Sequence, residues 1–249
     1  MPIAPRLAPR RVLAGLVALL AVSALPDVAL AQASPFRAES RSTELVVVLH
    51  GMGRTPRSMA PLVEALEKDG FDVLNLGYSS YCCSIGEIAD TIRLAIAKAR
   101  LPRHQTVHFV GHSLGGIVIR TLLTQGERPV GASRVVTLAS PNQGSRVADR
   151  FGGVAGLVLE PVNELRTDSS ATVRRLPPIA GVEIGVLAAD DDWAVSEEET
   201  HVAGETDHRV VDAGHTFIMR RAEVHRLTIA FLRTGRFASA DSTSARRPR

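Results

Sequence analysis

Two hydrophobic rhythms alternate along this chain. Short apolar runs, rich in β-branched residues, occur at 45–49, 73–76, 107–110, 135–138, 184–187 and 209–211, and each predicts a β-strand. Between them, apolar side chains recur at helical spacing. Met59, Leu62, Val63 and Leu66 stand at i, i+3, i+4 and i+7 ahead of a stop at Gly70, and Ile85, Ile88, Ile92, Ala95, Ile96 and Ala99 form one stripe closed by Pro102. Further helices are expected over 114–124 and around Val224, Leu227, Phe231 and Leu232. Strand alternating with helix predicts an α/β domain with a mostly parallel sheet and helices on both faces. Only residues 141–181 break the rhythm, with about 40 residues and no core strand where α/β connections usually take 2–6.

The termini lie outside this pattern. Arg6, Arg10 and Arg11, an apolar run over 12–25 and the small-residue sequence Ala29-Leu30-Ala31 have the three parts of a secretory signal. The expected division is a signal peptide at 1–31 cleaved near Ala31, a domain at 32–237 with an insertion at 141–181 resembling a cap or lid, and a disordered polar tail at 238–249. The expected location is periplasmic or secreted. The formal charge of +3 falls to +1 when the first 31 residues are removed, so nothing in the charge favours nucleic acid as a partner.

Gly111-His112-Ser113-Leu114-Gly115 fits G-x-S-x-G at the junction of a predicted strand and a predicted helix. That context is what a nucleophile elbow requires: a turn tight enough to strain the serine backbone and hold Oγ above the sheet, next to a helix N-terminus that offers N–H groups to an oxyanion. Together with Leu49-His50-Gly51-Met52-Gly53, Pro141-Asn142-Gln143-Gly144-Ser145-Arg146-Val147-Ala148-Asp149 and Ala213-Gly214-His215-Thr216, it makes the chain resemble the lipase/esterase branch of the α/β-hydrolase family from Leu45 to about Phe237.

The resemblance implies the α/β-hydrolase fold, with a helical insertion after the strand that follows the nucleophile helix, and a serine ester hydrolase of lipase or carboxylesterase type, which the N-terminal signal pattern would make an exported one. Ser113 is the expected nucleophile, and the backbone N–H groups of Met52 and Leu114 the expected oxyanion donors. Eight histidines compete for the role of general base, and the family order of serine, acid, histidine selects His215, after the last strand. For the acid, Asp192-Trp193-Ala194-Val195-Ser196 is similar to the family's D-G-x-V-S segment and selects Asp192. Trp193 stands where the family has Gly, so Asp190 and Asp191 remain alternatives. Leu157 and Leu159, within the insertion, are candidates for an acyl-binding wall; the alternative is helices packed on the core.

Cys82 and Cys83 are the only cysteines, and being adjacent they leave three options: a vicinal disulfide, two thiols, or bridges between chains. No metal or cofactor is expected. The expected partners are a small-molecule or lipid ester and, transiently, a lipid interface. Two other functions fit the same residues: a thioesterase or acyltransferase, and a catalytically silent α/β-hydrolase that binds a ligand.

Overall fold

A computed structural model describes residues 42–100, 102–155 and 159–237. The predicted signal peptide and tail, and Leu157, lie outside the described residues. Six strands, β1 (Glu44–Leu49), β2 (Asp72–Leu76), β3 (Thr106–His112), β4 (Ala132–Leu138), β5 (Glu183–Asp191) and β6 (Asp207–Gly214), form one sheet in the order β2-β1-β3-β4-β5-β6. Every neighbouring pair is parallel.

Side chains alternate across the sheet, and each strand therefore feeds two cores. Leu45, Val47 and Leu49 point to the face covered by α2 (Ile85–Ala99) and α3 (Leu114–Thr124), whereas Val46 and Val48 point to the face covered by α1 (Ala60–Lys68) and α8 (Ala222–Thr234). Both faces of β1 are buried, and this strand reads as an unbroken apolar run for that reason. α2 begins at a capping box in which Ser84 Oγ accepts from Glu87 N–H and the Glu87 carboxylate accepts from Ser84 N–H.

The segment 141–181 folds as three short helices, α4 (Arg146–Ala155), α5 (Glu160–Glu164) and α6 (Thr172–Arg175). Val162, Leu165, Val173, Leu176 and Ile179 join the core on the α2/α3 side. A last short helix, α7 (Glu197–Thr200), lies between β5 and β6.

Several elements run further than the apolar pattern suggests. β5 continues through Ala188 and Ala189 to Asp191, so two of the three consecutive acids end the strand and only Asp192 lies beyond it. β3 reaches His112 and β6 reaches Gly214. All three extensions lie at the C-terminal edge of the sheet, where backbone pairing persists after the side chains turn polar.

Candidate active site

The elbow is built from glycines that let three backbones meet. A Cβ at Gly111 would lie 2.5 Å from Gly116 N, and one at Gly115 would lie 2.6 Å from the carbonyl oxygens of both Leu49 and His50. Neither clash can be relieved by turning a side chain. The tight crossing between β3 and α3 leaves Ser113 at φ 51°, ψ −122°, in the strained region where a side chain costs roughly 1–3 kcal/mol. Ser113 N–H donates to Leu138 O at 2.9 Å, which anchors the strained residue to β4.

His215 follows β6 and meets Ser113 over a sequence separation of 102 residues, with Nε2 3.1 Å from Ser113 Oγ. Its Nδ1 lies 2.8 Å from Asp192 Oδ2. A carboxylate on Nδ1 makes that nitrogen the donor and leaves the lone pair of Nε2 toward the serine hydroxyl. The other Asp192 oxygen, Oδ1, accepts from Ala194 N–H at 2.8 Å and Val195 N–H at 2.9 Å, and its side chain is 2% exposed. Ser113, His215 and Asp192 are thus in one hydrogen-bonded line. Asp190 is turned elsewhere and accepts from Ala213 N–H at 3.0 Å, while Asp191 faces solvent.

Two further histidines brace the site. His112, buried beneath the elbow, places Nε2 2.9 Å from the His215 carbonyl oxygen. Burial, followed by the charge of His215 when protonated, pushes the His112 imidazole down to about 3. It is neutral under ordinary conditions and donates through Nε2–H. His50 stacks on Tyr78, with ring centroids 4.3 Å apart and planes 6° apart, and burial lowers its pKa. Tyr78 donates its hydroxyl to the His50 carbonyl, and Ser80 Oγ accepts from Gly53 N–H at 2.9 Å.

The loop carrying Met52 is therefore held from β1 on one side and from residues 78–80 on the other. Cys82 and Cys83 follow in this second loop, bonded to each other.

Met52, Phe151, Leu159, Val162, Leu165 and Trp193 line a cavity of about 320 Å³ that opens on Ser113 and His215. Its walls are mostly apolar. Phe151 and Trp193 are exposed, and the indole meets the His215 ring edge-on at 6.0 Å. The insertion supplies both cavity lining and core packing, since Val162 and Leu165 take part in each. A second cavity, of about 400 Å³, is lined by Arg93, Arg100, Arg128 and Glu127 and contains no candidate nucleophile.

Sequence reasoning did not find His112, Tyr78 or Ser80. Their contacts join loops far apart in the chain, and neither a histidine within the elbow nor a tyrosine after a strand has a distinctive pattern. It also did not find Arg120, on the buried side of α3. Burial lowers its guanidinium to about 10, so it stays charged near neutrality, and it donates to the Asn142 carbonyl at 2.9 Å where the insertion begins.

A model of the palmitoyl protein thioesterase family matches residues 45–175. The fold is similar to the mature Bacillus licheniformis lipase BlEst2, at 16% identity and TM-score 0.65 over 82% of this chain and 96% of that one. It is also similar to a lipase-esterase related protein from Clostridium acetobutylicum, at 14% identity and TM-score 0.59 over 82% and 99% of the two chains. For the carboxylesterase CesB from Bacillus subtilis the values are 17% and 0.54, over 80% and 86%. A search of curated proteins finds no match.

Proposed function

The chain belongs to the palmitoyl protein thioesterase family, within the α/β-hydrolase fold, and from that premise we propose that it is a serine hydrolase of apolar acyl esters working through an acyl-enzyme. The observation that carries this reading is the hydrogen-bonded line from Asp192 through His215 to Ser113, ending at the mouth of an apolar cavity.

The geometry suits a two-step acyl transfer. Ser113 Oγ attacks the substrate carbonyl carbon while its proton passes to His215 Nε2, and Asp192 steadies the resulting imidazolium without taking the proton. The negative charge on the former carbonyl oxygen falls to backbone N–H groups. Leu114 N–H, first in α3 and directly after the nucleophile, is one donor, and Met52 N–H is assigned as the other. As the tetrahedral intermediate collapses, His215 returns the proton to the departing alcohol or thiol. Water then enters and its oxygen attacks the acyl carbonyl carbon while its proton passes to His215; as this second intermediate collapses, the bond to Ser113 Oγ breaks, Oγ takes the proton back from His215 and the acid departs.

The family match favours a thioester among the acyl substrates, and oxygen esters follow the same steps with a poorer leaving group. Competition between an acyl thioester and the corresponding alkyl ester separates these two readings by the ratio of their kcat/KM values. Labelling by a fluorophosphonate probe tests the nucleophile. Ser113→Ala is expected to abolish labelling and to lower turnover by up to ~10⁶-fold, whereas a variant that still labels would rule out Ser113.

Export is proposed on the N-terminal pattern at 1–31. No helix among the described residues is long and apolar enough to cross a membrane. N-terminal sequencing of protein recovered outside the cytoplasm is expected to begin near Gln32. An unprocessed Met1 on protein confined to the cytoplasm would refute export.

A further inference from the structure

Away from Ser113, Glu197 in α7, His201 just after it and His208 near the start of β6 gather one carboxylate and two imidazoles. A ligand atom from each lies within 4.8 Å of the others. The two rings stack, with centroids 4.1 Å apart and planes at 21°. Their hydrogen bonds fix which nitrogens remain open. Glu205 Oε1 lies 2.7 Å from His201 Nδ1, which makes that nitrogen the donor and leaves the lone pair of His201 on Nε2. Thr200 Oγ1 spends its proton on the Glu197 carbonyl at 2.6 Å, so it can only accept from His208 Nε2 at 3.0 Å, and the lone pair of His208 is on Nδ1.

Glu197 is not engaged in capping α7, because the box with Ser196 is made by Glu199.

We propose that Glu197, His201 and His208 form a binding site for a divalent transition-metal ion of the zinc class. Two nitrogen donors with one carboxylate match zinc, cobalt or nickel, and calcium or magnesium would require oxygen ligands throughout. The carboxylate on His201 Nδ1 is the partner that ligating histidines generally have. Metal–ligand bonds of ~2.0–2.2 Å bring ligand atoms to roughly 3.4 Å from one another in a tetrahedron, so on binding the two rings swing out of their stack toward a common centre. The three ligands lie within one short segment, 197–208, so little chain entropy opposes their assembly.

The ion would tie α7 to β6. α7 in turn holds the start of the insertion, since Glu199 O accepts from Gln143 N–H, Thr200 O accepts from Asn142 Nδ2 and Glu199 Oε1 accepts from Arg146 N–H. The site is thus placed to stiffen the frame behind the apolar cavity, and it does not depend on the reaction assigned to Ser113.

The test is titration calorimetry of Zn²⁺ into the full chain after chelator treatment, with thermal unfolding alongside. One equivalent is expected to bind saturably, the unfolding midpoint should climb with Zn²⁺ concentration, and Ca²⁺ should do neither. His201→Ala and His208→Ala should each weaken binding by about tenfold or more, and Glu205→Gln by roughly tenfold through loss of the imidazole anchor. His225→Ala, at a histidine outside the cluster, should leave binding unchanged. Should a histidine variant fold poorly, the exposed Glu197→Gln decides, and it too must weaken binding. Absence of saturable binding, binding that persists in these variants, or an equal response to Ca²⁺ overturns the proposal.

Discussion

At Asp192 one carboxylate oxygen accepts two backbone N–H groups and the other meets His215 Nδ1, so the side chain is fully engaged and has one orientation. Replacing it with Asn keeps the shape but offers an NH₂ or a neutral oxygen where Nδ1–H needs an anion. On the proposed mechanism the imidazole then loses its working tautomer, and Asp192→Asn is expected to lower kcat by roughly 10³–10⁴-fold. Asp190→Asn should retain most activity, because an amide oxygen can still accept the Ala213 N–H. Steady-state rates of the two variants on one ester decide this, and a milder loss at Asp192 than at Asp190 would refute the assignment. The sequence register already pointed to Asp192, but Trp193 in the usual glycine position left the other two acids open. What separates them is that β5 runs on to Asp191, leaving Asp192 alone in the turn that faces His215.

Among the elements, the junction of β3 and α3 and the insertion have different tolerances. At Gly115 a methyl group would meet two carbonyl oxygens of the β1 edge, both backbone. Gly115→Ala is expected to cost about 1–3 kcal/mol in thermal or denaturant unfolding and to depress turnover further by displacing Ser113. A variant of unchanged stability would show that the crossing is looser than described.

The insertion is judged by substrate length. Leu159 lines the cavity and is only partly buried, so Leu159→Asn should fold while removing apolar contact from a long acyl chain. With ~0.8 kcal/mol at stake per buried methylene, the loss in kcat/KM should be at least about tenfold greater for octanoate than for acetate esters. Equal losses would mean that this residue only supports the fold.

Over the whole molecule, the interior holds several histidines in the neutral state. His50, His108 and His112 are buried, and burial is the largest cause lowering the pKa of each. In the unfolded chain such an imidazole takes a proton below its ordinary value of 6.5, whereas folded His112 resists protonation until about 3. The unfolded state therefore binds more protons in this window, and stability is lost as pH falls from about 6.5 toward 3. The unfolding midpoint should drop across that range, and less steeply in His112→Gln, which keeps a donor for the His215 carbonyl but cannot be protonated. Parallel slopes for the two proteins would show that His112 does not contribute.

The strand and helix order, the parallel sheet and the position of the elbow were legible in the sequence because each depends on local rhythm: period two or unbroken apolar runs for strands, period 3.6 for helices, and glycines wherever backbones cross. Ser113 was singled out by the G-x-S-x-G pattern and His215 by the family order that the resemblance implies, and the two side chains lie 3.1 Å apart. Tertiary structure alone decided what crosses between loops. It showed that Asp192 turns toward His215 while Asp190 turns toward β6, that His112 holds the His215 carbonyl, that residues 78–80 brace the loop of Met52, and that Glu197, His201 and His208 converge. These contacts depend on distance and direction between segments packed side by side, and the linear pattern of apolar and polar residues carries a strand's place in the order but not where its last side chains point.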